Sequence, residues 1–255
     1  MAQRAWELPG PWVIGRAPVA DLVAALARRH PPLRAVATPR LGVKTGLDAA
    51  FLAVPPDADA RFVRPAIGGR DLVDGGWRRT RPMLWPLDAA GRPLADLPAA
   101  LLRHFARHDR ALRRRADYAG GPAWTLFRTE AARPGPRLAW ADLTRSLHVA
   151  LLDGADDPVP LNTCYVAAMP SRCVARRVLA WLRAPALSAV ARLLAPPAMH
   201  GYARFNAAVV GALPLPPAVL ADPALDAGDP APLDLVADHL HLAPAERRTL
   251  EGLLG

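Results

Sequence analysis

The sequence predicts an α/β fold, more strictly α+β, in which short strands form small sheets flanked by helices. Three observations predict it. Short apolar runs bounded by Gly, Pro and Asp recur along the chain, at a length that suits strands. Three longer stretches, 18–29, 97–116 and 173–195, carry apolar residues at helical spacing. With 255 residues and 52% hydrophobic content, the chain can bury a sizeable core as one large domain or two small ones.

Taken in order, PVADLVAALARR (18–29) places Leu22, Ala25, Leu26 and Arg29 at helical spacing, and Pro31-Pro32 stops the helix. LRAVATPRLGV (33–43) and AAFLAV (49–54) read as two short strands around a KTGLD loop, with Gly46 and Asp48 as turn formers. RFVRPAI (61–67) is a third extended run leading into Gly68-Gly69-Arg70-Asp71, and MLWPLD (83–88) is a further candidate strand. The clearest helix spans 97–116, with Pro98 in its first turn and an apolar stripe of Leu101, Leu102, Phe105 and Leu112. Arg103, Arg107, Arg110 and Arg114 share one face, which suits either a solvated surface or a stripe facing phosphates. Residues 137–151 and 159–168 read as strands around an acidic turn at Asp153–Asp157. Residues 173–195 form one helix or two, broken at Pro185. The Pro- and Asp-rich stretch 213–233 reads as a linker, followed by two short helices at 234–242 and 244–254. This divides the chain into 1–217 and a C-terminal extension, 218–255.

Net charge is +9 and the isoelectric point is near 10.9. Replacement of Lys by Arg preserves charge, so arginine-rich composition does not explain the excess of cations over Asp and Glu. An anionic partner follows, nucleic acid foremost, with a membrane surface or simple solubility as alternatives. Cys164 and Cys173 are the only cysteines, which points away from a disulfide framework and toward a reduced, cytoplasmic setting. The first fifteen residues lack a continuous apolar run and contain Glu7, Pro9 and Pro11, so no signal peptide is expected there. The apolar stretch 186–195 is short and holds Arg192, so no membrane span is expected either.

Motifs for catalysis are sparse. A phosphate-cradling P-loop requires glycine immediately before its lysine and again five residues earlier; those places hold Val43 and Thr38. His104 and His108 have the i, i+4 spacing of zinc ligands, but no Glu adjoins His104 and no third ligand is evident, so they are expected as surface histidines. No G-x-S-x-G elbow occurs. Neither a catalytic residue nor a metal site is assigned. Seven tryptophans against five Phe and three Tyr are notable, and Trp77, Trp85, Trp124 and Trp140 lie near arginines. Most are expected in the core, with one or two available to line a nucleic-acid groove.

The order of several segments resembles the target-recognition domain of gamma-class adenine-specific DNA methyltransferases, a group that includes the type IIG restriction–methylation enzymes. A G-I-x-T-G-x-N-x-A-F pattern is met by Gly42-Val43-Lys44-Thr45-Gly46-Leu47-Asp48-Ala49-Ala50-Phe51. An R-P-x-x-x-G-R-D-I-like segment is met by Arg64-Pro65-Ala66-Ile67-Gly68-Gly69-Arg70-Asp71-Leu72. Leu112 to Arg115 with Trp124, then Leu161-Asn162-Thr163, LRAPAL and Leu213 to Pro216 follow in the same order, so that the similarity covers roughly residues 5–217.

The resemblance implies a domain of small mixed β-sheets and flanking helices that binds double-stranded DNA. The sequence contains neither the N-P-P-Y or D-P-P-Y tetrapeptide of the complete enzymes nor their glycine-rich S-adenosylmethionine turn. Cofactor and methyl transfer are therefore expected on a separate catalytic chain. A non-catalytic protein–protein adaptor, or a truncated remnant of such an enzyme, is the alternative.

In this reading Gly42 and Gly46 allow close backbone approach, and Lys44 and Thr45 project from the turn toward DNA. Lys44, the only lysine of the chain, offers a slim ammonium to a base acceptor or a phosphate. It is otherwise a solvated bystander. Arg70 is the second expected contact, Arg107 represents the helix stripe, and Arg64 and Arg204 follow. Asp71 is expected to orient Arg70 or cap a turn.

Overall fold

The computed structural model describes residues 17–154 and 157–254; the N-terminal stretch considered for a signal peptide lies outside them. Helix α1 (Ala17–Arg29) turns Leu22, Val23 and Leu26 into the core. After a short turn comes strand β1 (Arg40–Leu41). The run expected as a second strand forms instead the one-turn helix α2 (Asp48–Phe51). Its start is local: the Thr45 hydroxyl donates to Asp48 at 2.5 Å and accepts from Leu47 N–H at 3.3 Å, and the alanines that follow favour helix.

Strands β2 (Val63–Ile67), β3 (Leu72–Val73), β4 (Gly76–Trp77) and β5 (Arg81–Leu84) come next. The expected long helix divides into α3 (Ala99–Ala106) and α4 (Asp109–Arg113). The apolar stripe has no member at 108 or 109 between Phe105 and Leu112. Asp109 also starts a new first turn, where an acidic side chain is favoured and pairs with Arg113 at 2.9 Å. Leu102, assigned to the stripe, is 42% exposed, whereas Leu101, Phe105 and Leu112 are buried.

Strands β6 (Arg137–Ala141), β7 (Leu143–Thr144), β8 (Val149–Leu152), β9 (Val159–Pro160) and β10 (Cys164–Ala168) follow. Next are α5 (Arg172–Arg183), capped by Ser171, and α6 (Pro185–Leu194), separated where Pro185 forbids continuation. The remainder comprises β11 (Ala203–Arg204), α7 (Ala207–Gly211), α8 (Pro217–Ala221), α9 (Leu233–His239) and α10 (Pro244–Glu251).

The order of the main sheet is β1-β10-β6-β8, antiparallel throughout. One face carries Leu138, Trp140, Val149 and Ala167 into a core shared with α1, α5 and α6. The other carries Ala139, Ala141, Leu152, Cys164 and Val166 into a second core with Phe51, Met83, Phe105 and Leu112. Because both faces are covered, β6 reads as an unbroken buried run instead of alternating with polar residues. A three-stranded mixed sheet, β5-β2-β9, lies on the second core, with β2 antiparallel to β5 and parallel to β9. Two further pairs, β11–β7 and β3–β4, complete an α+β fold of small sheets and flanking helices.

The stretch expected as a linker is packed. Leu213, Leu215, Val219, Leu225 and Ala231 are buried. The Arg177 guanidinium ties the segment to α5 through Leu220 O and the Asp226 carboxylate, both at 2.6 Å. Prolines here set the turns between apolar residues instead of extending a spacer. Val236, Leu240 and Leu250 of the closing helices join the same core as Leu22 and Leu26 of α1. Among the described residues, no helix is long and apolar enough to cross a membrane.

Candidate nucleic-acid interface

Two of the segments singled out in the sequence, 42–51 and 64–72, meet around a third, the turn Leu161-Asn162-Thr163 between β9 and β10; the LRAPAL and Leu213–Pro216 segments pack in the other core. From the first segment, Val43 N–H donates to Pro160 O at 2.8 Å and Gly42 N–H to Cys164 O at 2.9 Å. A Cβ on Gly42 would lie 2.3 Å from Leu161 O and 2.5 Å from Pro160 O, so only glycine admits this contact. From the second segment, Leu161 N–H donates to Ile67 O at 2.9 Å and Gly69 N–H to the Thr163 hydroxyl at 2.9 Å. On the far side, Asp142 N–H donates to Thr163 O at 3.0 Å, and Phe205 N–H to Asp142 O at 2.7 Å. Arg204 pairs with the Asp142 carboxylate at 2.7 Å. A continuous hydrogen-bonded seam thus joins residues 42–44, 67–71, 141–142, 161–163 and 204–205.

Lys44 is half-buried at one end of this seam. Its backbone exchanges two hydrogen bonds with Phe127, and its ammonium pairs with Asp117 at 2.6 Å. The Asp117 carboxyl is held below the usual carboxylate range, first by the hydrogen bond from Lys44 and also by the fields of Arg128 and Arg115. Thr45 corrects an expectation: it is 3% exposed, and its hydroxyl is engaged by Asp48 and Leu47. It therefore shapes the turn and does not project outward. Beneath the turn, the Arg115 guanidinium donates to Thr45 O (2.6 Å), Thr125 O (2.8 Å) and Ala123 O (2.7 Å).

Arg70 is exposed and makes no ion pair among the described residues. Asp71 caps its turn by accepting from Gly68 N–H at 2.8 Å, and it orients Arg79 (2.9 Å) and Arg81 (3.3 Å) rather than Arg70. Burial raises the Asp71 carboxyl; the bond from Gly68 and those from the two arginines outweigh it and hold the group below its ordinary value. Arg79 and Arg81 are 79% and 47% exposed, so both remain open to solvent while held by Asp71. Sequence reading missed this pair because nothing in the spacing ties them to Asp71.

Arg128 was missed as well. It is exposed, follows the ladder partner of Lys44, and adopts a left-handed φ of 58°, a conformation that a non-glycine residue holds only against strain. Its charge acts on both Asp117 and Tyr165, and Tyr165 also feels Arg204 and Asp142.

The other predicted residues lie apart. Arg64 is half-buried over the Trp85 ring at 4.8 Å and donates to Asp157 O at 3.5 Å, with burial lowering its pKa. It stands four residues before Gly68, on the order of 13 Å along an extended strand. Arg107 is exposed at the end of α3, and the helix break separates Arg103 and Arg107 from Arg110 and Arg114. His104, expected on the surface, is buried and bonds Ala50 O at 2.9 Å. No group of three or more His, Cys, Asp or Glu among the described residues is placed to hold a metal ion. Trp140, Trp124 and Trp85 serve packing, with indole N–H bonds from Trp140 to Phe205 O (2.7 Å) and from Trp124 to Leu94 O (3.0 Å).

No protein-family model matches the chain. No curated protein matches it. Among solved structures, the chain is similar to the Type IIL restriction-modification enzyme MmeI in complex with DNA, at 14% identity and a TM-score of 0.45. That similarity covers 71% of this chain and 25% of the other, so this chain spans about a quarter of the length of that enzyme.

Proposed function

We propose that this chain binds duplex DNA in a sequence-dependent way, as the recognition module of an adenine-specific DNA methyltransferase system. In this reading it is not an enzyme by itself. A separate chain supplies S-adenosylmethionine and the pocket for the flipped adenine. The observation that carries the reading is the seam: three of the segments bearing the family resemblance, 42–51, 64–72 and 161–163, about 120 residues apart at most, meet around residues 161–163. Lys44, Arg70, Arg79, Arg81, Arg128 and Arg204 stand along it, on a chain whose net charge is +9. Their donors suit phosphate oxygens, and the slimmer Lys44 suits a base edge.

Fluorescence anisotropy with a labelled duplex of random sequence tests the reading. With on the order of five phosphate contacts, log K should fall against log salt with a slope of about −4 to −5. Transfer of labelled methyl groups to DNA by the purified chain alone would overturn the division of labour.

One observation favours the adaptor reading. Met199 is 78% exposed, with Leu143 at 46% and Tyr202 at 37% around the β7–β11 pair, an apolar surface suited to a protein partner. A flat salt response, with no retention of DNA, would select it.

A further inference from the structure

We propose that Arg115 is a positioning residue for Lys44: its buried guanidinium fixes the 42–46 turn from beneath and so aims the lysine along the seam. This rests on the DNA-binding reading and assigns that site a residue that the sequence counted only as part of a helix motif. Arg115 is 8% exposed. Its Nε donates to Leu112 O at 2.8 Å, at the end of α4. Nη1 bridges Thr45 O and Thr125 O, and Nη2 reaches Ala123 O. One side chain thereby ties the end of α4 to the 42–46 turn and to the 123–125 segment. The stem fits only because residue 46 is glycine, since a Cβ there would lie 2.8 Å from Arg115 Cδ.

Among the described residues no carboxylate is bonded to the cation; carbonyl dipoles and the rings of Phe51, Phe127 and Tyr118, at 5.7, 4.8 and 6.0 Å, surround it. Lysine offers one ammonium and lacks the planar fork that serves several carbonyls at fixed angles. The same clamp sets the distance between Lys44 and Asp117, because Thr45 O is held from residue 115 while Asp117 follows two residues later. Asp117 is therefore the reporter. Lys44 bonds its carboxyl at 2.6 Å and contributes the largest depression, and the charges of Arg128 and Arg115 add to it.

The full chain, as Arg115→Lys, Arg115→Met, Lys44→Ala and the Arg115→Met/Lys44→Ala pair, is examined by carbon-detected NMR titration of Asp117. The same proteins select duplexes from a random-sequence pool. In the wild type, Asp117 titrates below the ordinary carboxylate range. It should rise in Arg115→Met by more than the loss of the Arg115 charge alone accounts for, and in the pair should exceed Lys44→Ala only by that charge effect. Arg115→Lys should fall between. Enrichment of the preferred duplex over the pool should drop about tenfold in Arg115→Met and in Lys44→Ala.

An Asp117 titration that stays depressed in Arg115→Met, with unchanged selection, overturns the proposal. Loss of near-ultraviolet circular dichroism in both Arg115 variants also overturns it, by making Arg115 a requirement of the whole fold. If the wild type enriches no duplex, the DNA reading fails, while the Asp117 titration still decides whether Arg115 places Lys44.

Discussion

Lys44 already has a partner, and that shapes what it can do. Its pair with Asp117 is 29% exposed on the lysine and 40% on the aspartate, so water competes for both charges and the ammonium can exchange Asp117 for a base edge or phosphate at small cost. If Lys44 reads a base, Lys44→Ala should lose about 1–3 kcal/mol on the preferred duplex and little on random DNA. Lys44→Arg keeps the charge and changes the donor geometry; full site preference in that variant, measured by competition, would make Lys44 a phosphate contact or a bystander.

Asp71 carries the pH dependence at this scale. Its folded pKa lies below its ordinary value, so folding favours the carboxylate. That contribution is complete above the unfolded pKa of about 3.9 and is lost as pH falls through the folded value. Asp71→Asn should cost about 1.5–3 kcal/mol at neutral pH and flatten the acid limb of a stability curve measured by urea unfolding. An unchanged acid limb would show that the network does not hold the carboxylate. The glycines and the acid of this network were legible as turn chemistry. Arg79, Arg81 and Arg115 were not, because a long side chain that reaches across a fold leaves no periodic trace in the sequence.

At the scale of elements, the decisive contacts are between loops. The 42–44 strand end and the 67–71 turn each bond to residues 160–164, mostly through main-chain atoms, so their spacing depends on what fits between backbones. Gly42→Ala tests this. Its Cβ would meet two carbonyl oxygens at 2.3 and 2.5 Å, neither free to rotate away, and overpacking of this kind costs about 1–3 kcal/mol. A midpoint lower by about 2–4 °C per kcal/mol is expected in thermal unfolding. Gly76→Ala is the control, because nothing lies within 4 Å of its Cβ position. Equal losses in the two variants would detach the effect from the seam. Sequence periodicity located α1 and the division at Pro185. It failed at 97–116, where apolar spacing continues across a position with no apolar residue, and at 49–54, where a single side-chain bond from Thr45 to Asp48 starts a helical turn.

For the molecule as a whole, the main sheet separates two cores, and the C-terminal segment belongs to the first of them. Gly228 sits so close to α5 that its Cβ would be 3.3 Å from Leu179 Cδ2, and the His239 ring stands edge-on to Trp181 at 5.9 Å. At the other end, Arg29 of α1 bonds His241 O at 3.2 Å and pairs with Glu246 at 2.8 Å. Truncation after residue 217 would therefore remove the cover from Leu22, Leu26, Leu179 and Trp181 together. Exposed apolar patches larger than a few hundred Å² are uncommon on a stable monomer, so such a fragment should bind a hydrophobic dye and lose its cooperative thermal transition. Composition hid this arrangement: prolines and aspartates suggest a spacer, yet the leucines and valines between them do the packing. A fragment that unfolds cooperatively within a few degrees of the full chain would restore the linker reading. It would also confine whatever the seam binds to residues 1–217.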